Sequence, residues 1–273
     1  MDISELVTTP LNHACDLIFA IIPQKNPPEK NLRNCKIISH RGQYDNLKVF
    51  ENTLTAFDNA LNNNGVWGIE FDFRWTKDIQ PVVIHDPDLK RLFDSKIKIS
   101  ETTLSDLKQN FPEIPSLKEV VARYGGKLHL MVEAKEEHNS QAEKQNKILK
   151  DIFDPLKPSK DYHILSLSSR ILDSINFVEN TSKIIVAIFN EHSQSKTSII
   201  KKYAGIGGHY LLIKNLIVRK HLKLGQKIGT GYPKSKNSLF REINRGVEWI
   251  FCNESEKLCK ILQNELNQSK VNE

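Results

Sequence analysis

Apolar and polar positions along the first half of the chain alternate as short β-like runs separated by helical stretches, and three of these runs end in reactive side chains. The run at 37–39 stops at His40-Arg41-Gly42, and the run at 82–84 stops at His85-Asp86. The run at 68–75 carries Glu70 and Asp72 two residues apart, so in a strand both point to one face. Between the first two runs, Thr53 reads as a helix cap. Leu54, Phe57, Ala60 and Leu61 follow at helical spacing, and Asn-rich sequence and Gly65 close the segment. Strand, helix and strand with reactive groups at the strand ends is the pattern of an α/β sheet or barrel whose site lies at the carboxyl edge.

The same alternation continues to the end of the chain. Strands are predicted at 127–135, 162–167, 183–189, 209–214, 226–230 and 248–252. Helices are predicted at 116–124, 139–153, 168–180, 193–203, 216–224 and 238–245, the first with Ser116 and Glu119 in a capping box and Gly125-Gly126 after it. This makes nine strand candidates for eight barrel positions, so one is an edge piece or part of a loop. Gly205-Ile206-Gly207-Gly208 follows a predicted helix and reads as its terminating turn, not as a nucleotide loop. Residues 1–35 read as an N-terminal helix and a Pro-rich connector, with the helical run at 14–22 packing on the domain or capping the barrel bottom. Residues 36–273 read as one domain, and the charged stretch at about 87–115 as an insertion after the third strand.

Length and composition narrow the class. With 273 residues the chain suffices for one large α/β domain without disulfides or structural metals. Cys15, Cys35, Cys252 and Cys259 lack Cys-x-x-Cys pairing and read as reduced thiols of a cytoplasmic protein. The net charge of +6 and pI of 9.0 come from lysines scattered along the chain, which suits a phosphate-bearing small molecule better than nucleic acid. No window has the roughly 18 apolar residues of an integral membrane segment.

Glu70 and Asp72 are the leading metal ligands, because two acids on one face of an apolar strand repel each other and resist burial without a cation. Glu133 and Lys135 repeat the arrangement on another strand. Hard carboxylate oxygens suit one divalent cation, Mg²⁺ or Ca²⁺. His40 and His85 together offer an acid and a base near neutral pH, as displacement at phosphorus requires. Arg41 can grip phosphate oxygens with its planar fork, and Gly42 lets the backbone turn away from a bound ligand. His13, His129, His138, His163, His192, His209 and His221 have no partner visible in the sequence and read as structural or surface residues.

The ordered set His40-Arg41-Gly42, Glu51-Asn52-Thr53, Glu70-Phe71-Asp72, Pro81-Val82-Val83-Ile84-His85-Asp86 and Glu133-Ala134-Lys135 closely resembles the glycerophosphodiester phosphodiesterase family. That family belongs with the phosphatidylinositol-specific phospholipase C-like phosphodiesterases. The resemblance is strong over residues 36–135 and architectural beyond them. It implies a (β/α)8 TIM barrel that hydrolyses glycerophosphodiesters to glycerol 3-phosphate and an alcohol. It further implies a divalent cation on Glu70, Asp72 and Glu133, acid–base catalysis by His40 and His85, and substrate contacts from Arg41, Glu51, Asn52 and Lys135. Phe50 stands where the family usually has proline, and Gly229-Thr230-Gly231-Tyr232 and Phe251-Cys252-Asn253 replace two pocket-shaping segments. A sphingomyelinase D-like phospholipase on the same fold, and a catalytically inactive barrel that binds phosphorylated ligands, stay open as alternatives.

Overall fold

A computed structural model describes residues 18–136 and 141–271. Its nine strands are β1 (Lys36–His40), β2 (Val66–Trp75), β3 (Pro81–Val83), β4 (His129–Ala134), β5 (Tyr162–Ser166), β6 (Lys183–Ala187), β7 (Gly205–His209), β8 (Lys227–Gly231) and β9 (Trp249–Cys252). Eight of them run parallel in the order β1-β9-β8-β7-β6-β5-β4-β2, and pairing of β1 with β2 closes the ring. With helices between successive strands, this is a (β/α)8 TIM barrel. The surplus ninth strand is β3, which pairs antiparallel with the far end of β2 and stands outside the ring.

The period of two along β2 sorts its side chains between two environments. Phe71 and Phe73 face outward, where Phe71 meets Phe57 of the helix α1 (Leu54–Asn62) at a ring separation of 5.6 Å. Phe57 also meets Tyr124 edge-on at 5.6 Å, tying α1 to α2 (Leu117–Tyr124). Burial of each such ring contributes about 2–3 kcal/mol. Glu70 and Asp72, between the phenylalanines, point the other way, into the barrel. Both sequence-predicted caps form: Thr53 Oγ1 accepts from the Ala56 amide at 3.3 Å, and Ser116 and Glu119 make the reciprocal capping box.

The segment after β3 is more ordered than its composition implies. It contains the helices Lys90–Phe93 and Leu104–Asn110, and Leu89, Ile99, Leu107 and Ile114 close with Val82 and Ile84 on a small core of their own.

Three predicted elements are corrected. The strand predicted at 209–214 lies instead over the glycine run, as β7. At Gly205 a Cβ would come within 2.0 Å of the Lys227 carbonyl, and at Gly208 within 3.0 Å of that of Ala187, so these glycines permit close strand approach instead of ending a helix. The helix predicted at 168–180 is a short one, Ser169–Ser174, followed by an irregular stretch and the single turn Asn180–Ser182. The helix predicted at 193–203 starts and stops earlier, at Glu191–Ile200.

The first part of the helix predicted at 14–22 and the start of that at 139–153 lie outside the described residues. Residues 18–21 are helical and pack on the side of the barrel, with the Phe19 ring edge-on to Tyr210 at 5.9 Å and beneath the Arg241 guanidinium at 4.9 Å. No helix among the described residues is long and apolar enough to cross a membrane.

Gly42 follows β1 at φ +82°, and a Cβ there would sit 2.8 Å from the backbone and Cβ of Ala56. Gly126 has φ +75° with nothing within 4 Å of the same position. Gly42→Ala is therefore expected to cost about 3 kcal/mol in urea unfolding, against about 1 kcal/mol for Gly126→Ala, the difference being the collision. Equal losses would remove that role for Gly42.

Candidate active site

Strand register assembles the site. His40 of β1 pairs with Glu70 of β2, and Asp72 of β2 pairs with Glu133 of β4, so all four side chains point to the barrel interior at the carboxyl end. Lys135, two residues beyond Glu133, follows them to the same face. Carboxylate oxygens of Glu70, Asp72 and Glu133 lie within 4.8 Å of one another, and His40 Nε2 is 3.7 Å from Glu70 Oε2.

Cationic and polar groups crowd the buried Asp72. Lys135 Nζ is 3.0 Å from Asp72 Oδ1 and 2.7 Å from Glu133 Oε1. Arg41 Nε is 3.3 Å from Asp72 Oδ2, and the Asn52 amide donates to that same oxygen at 3.0 Å. Arg41 Nη1 donates to Glu51 Oε1 at 2.9 Å. Arg41 and Asn52 reach these positions through left-handed backbone, φ +56° and +58°, which the tight packing around Gly42 holds in place.

Burial opposes ionisation of Asp72, yet the charges of Lys135, His85 and Arg41 hold it well below the usual carboxylate range. Burial, reinforced by repulsion from Asp72 and Glu133, pushes Glu70 well above that range. The cluster thus has more negative charge to place than its two cations balance. Its donors are all hard oxygens, and their spacing falls inside the ~5 Å that two ligands of one Ca²⁺ can span. The residues fit a divalent cation.

His40 has both ring nitrogens engaged. Nδ1 lies 2.8 Å from Asn253 Oδ1, which can only accept, so the proton sits on Nδ1 and Nε2 carries the lone pair. The Tyr232 hydroxyl donates to Nε2 at 3.1 Å. Burial, with Arg41's charge adding to it, pushes His40 down to about 3, so the ring is neutral at pH 7. His85 follows β3, and its Nδ1 lies 2.7 Å from Asp86 Oδ1. Asp86 in turn accepts from Arg91 Nε at 2.6 Å, and Arg91 donates twice to Glu51, at 2.7 and 3.1 Å. A chain of charge therefore runs from His85 through Asp86, Arg91, Glu51 and Arg41 to Asp72.

All nine residues singled out in the sequence stand in this connected network. Arg91, Tyr232 and Asn253 join it without having been singled out individually. The segments holding Tyr232 and Asn253 were marked as pocket-shaping, but their contact with His40 spans 192 and 213 residues of sequence. Arg91 comes from the charged insertion, where nothing distinguishes it from neighbouring basic residues. Cys35, Cys252 and Cys259 are free thiols, as expected.

The profile of the "Glycerophosphoryl diester phosphodiesterase family" matches residues 40–252, and the chain belongs to that family. A glycerophosphodiester phosphodiesterase of Caldanaerobacter subterraneus subsp. tengcongensis is 37% identical over 102 residues, which cover 33% of this chain and 41% of that one. The matched segments span less than half the length of the first curated relatives. Among solved structures, a glycerophosphodiester phosphodiesterase of Thermotoga maritima superposes with TM-score 0.70 at 24% identity, covering 83% of this chain and 98% of that one. An Oleispira antarctica phosphodiesterase in complex with its product sn-glycerol-3-phosphate superposes with TM-score 0.69 at 20% identity, covering 84% and 96%.

Glu51 resists ionisation through burial, but Arg91 and Arg41 overcome this and hold its pKa down to about 2. A carboxylate depressed in the folded state adds stability above its unfolded pKa and loses it as pH falls through the folded value. The stability advantage of the wild type over Glu51→Gln should shrink by about 3 kcal/mol between pH 5 and pH 2 in denaturant titrations. A pH-independent difference would show that the arginines do not hold Glu51 ionised.

Proposed function

We propose that this protein hydrolyses glycerophosphodiesters to glycerol 3-phosphate and an alcohol with the aid of one divalent cation. The observation that carries this is the convergence of Glu70, Asp72 and Glu133 from two neighbouring strands beside the neutral imidazole of His40. Glu70, Asp72 and Glu133 would hold Mg²⁺ or Ca²⁺. When bound, the cation supplies charge stabilisation at a phosphoryl oxygen and acidifies the attacking hydroxyl.

The chain's own groups do the rest. Arg41 and Lys135 neutralise the phosphate from opposite sides of Asp72, while Glu51 and Asn52 hold Arg41 and Asp72 in register. His40 takes the proton of the glycerol hydroxyl next to the phosphoester at Nε2, the nitrogen that its bond to Asn253 leaves free of hydrogen. As that oxygen bonds to phosphorus, the bond to the alcohol breaks. His85, oriented by Asp86 on Nδ1, gives a proton to the departing oxygen. Water then opens the cyclic phosphate with the two imidazoles exchanging roles. Support for the phosphate chemistry comes from the family membership and from the product held by the Oleispira antarctica neighbour.

Release of glycerol 3-phosphate from glycerophosphocholine is expected to require added Mg²⁺ or Ca²⁺ and to stop with EDTA. His40→Ala and Glu70→Ala should each lower kcat by about 10²–10⁴ with folding retained, and a variant keeping most of the rate would exclude the assignment. Tyr232→Phe, which removes only the donor to His40 Nε2, should lower kcat by about tenfold with KM little changed; an unchanged kcat would mean that the hydroxyl does not position the ring.

A further inference from the structure

A cavity lies at the opposite end of the barrel from the acids. It encloses about 810 Å³, and Lys36, Trp67, His163, Lys227 and Trp249, which line it, are the first or second residues of β1, β2, β5, β8 and β9. Interior layers of such barrels are ordinarily filled by branched apolar side chains, and residues at this end ordinarily serve stability. Here the layer is cationic and aromatic instead. Four of the fifteen lining residues are lysines (Lys36, Lys160, Lys202 and Lys227) and none is acidic. Lys227 pairs with Glu248 at 2.8 Å, and Lys36 Nζ sits 4.7 Å above the Trp67 ring. Among the described residues, no carboxylate lies within 4.0 Å of the ammonium of Lys36, Lys160 or Lys202. An anionic occupant would meet these ammonium groups with no acid in the lining to compete.

A histidine on the cavity wall adds a hydrogen-bond acceptor. His129 Nδ1 lies 3.0 Å from the Lys160 carbonyl and His129 Nε2 lies 2.8 Å from His163 Nδ1. Burial holds His129 near about 4 and His163 near about 3, so both rings are neutral at pH 7. With the carbonyl accepting from His129, His163 must donate through Nδ1, which leaves its Nε2 as an acceptor for a hydroxyl. The volume matches that of small-molecule sites, and the indoles of Trp67 and Trp249, 6.4 Å apart and near-parallel at 19°, give it an apolar wall.

We infer that this basal cavity binds a hydroxyl-bearing phosphate monoester, a sugar phosphate or a nucleoside monophosphate, at a site separate from the acidic mouth of the barrel. Lys36, Lys160 and Lys202 take the phosphate, Trp67 and Trp249 flank the rest of the ligand and His163 accepts a hydrogen bond from a hydroxyl. The assignment does not depend on the proposed activity.

The test is titration calorimetry of the full chain with glucose 6-phosphate and, separately, adenosine 5′-monophosphate, with inorganic phosphate and adenosine as half-ligand controls. Saturable binding is expected in the wild type and equally in Glu70→Ala. It should weaken at least about tenfold in Lys36→Ala and in Lys202→Ala, the latter an exposed position whose replacement leaves the core intact, and severalfold in Trp249→Phe. The stronger of the two monoesters identifies the body the aromatic wall prefers. Absence of saturable binding by both overturns the site. So does binding that Glu70→Ala abolishes while the lysine variants retain it, since that places the ligand at the acidic mouth.

Discussion

Three carboxylates cannot share the buried mouth of a barrel unless positive charge is brought among them, and much of the surrounding structure answers that demand. Asp72 is the centre of it. Lys135 arrives from β4, Arg41 from the end of β1 and Asn52 from the turn before α1, each held within hydrogen-bonding or ion-pairing distance. The left-handed backbone at Arg41 and Asn52 is the cost of this convergence, and the contact of Gly42 with Ala56 is what keeps it from relaxing. Burial, with repulsion from Asp72 and Glu133 added to it, pushes Glu70 well above the usual carboxylate range despite the two cations. A site so arranged has the donor set that fits a divalent cation.

The parts of this arrangement that depend on local periodicity could be read from the amino-acid order. Glu70 and Asp72 had to share a face because a strand repeats every two residues, and Thr53 had to begin a helix because its hydroxyl precedes an apolar stripe. The family motifs supplied the rest of the catalytic half. Where the reading failed, a tertiary constraint outweighed a local habit. Gly205 to Gly208 looks like a turn because glycine usually weakens strands, but in the closed ring the neighbouring backbones come too near for any side chain at Gly205. Arg91 carries no local signal, and Tyr232 and Asn253 lie in segments marked only as pocket-shaping. Their roles exist only because closure of β9 on β1 and folding of the insertion over its own core bring them to His40 and Glu51.

The two ends of the barrel solve opposite electrostatic problems in one scaffold. At the carboxyl end the acids outnumber the cations within reach, and at the amino end lysines converge with no acid lining the space. Between them the interior is apolar, filled by Ile38, Met131, Leu165, Ile184 and Phe251. That apolar plug lets each end keep its own charge without neutralising the other, because side chains anchored on opposite sides of it cannot meet.

The chain also divides its labour along its length. Every acid and cation of the acidic mouth precedes residue 136, while Tyr232 and Asn253, both gripping one imidazole, come from the loops that follow the last two strands. A polypeptide cut between β7 and β8 would keep the three clustered carboxylates on one fragment and lose the aim of His40. Mixing the two pieces would restore that aim only when β9 docks again beside β1, so recovery of the imidazole's orientation would report ring closure itself.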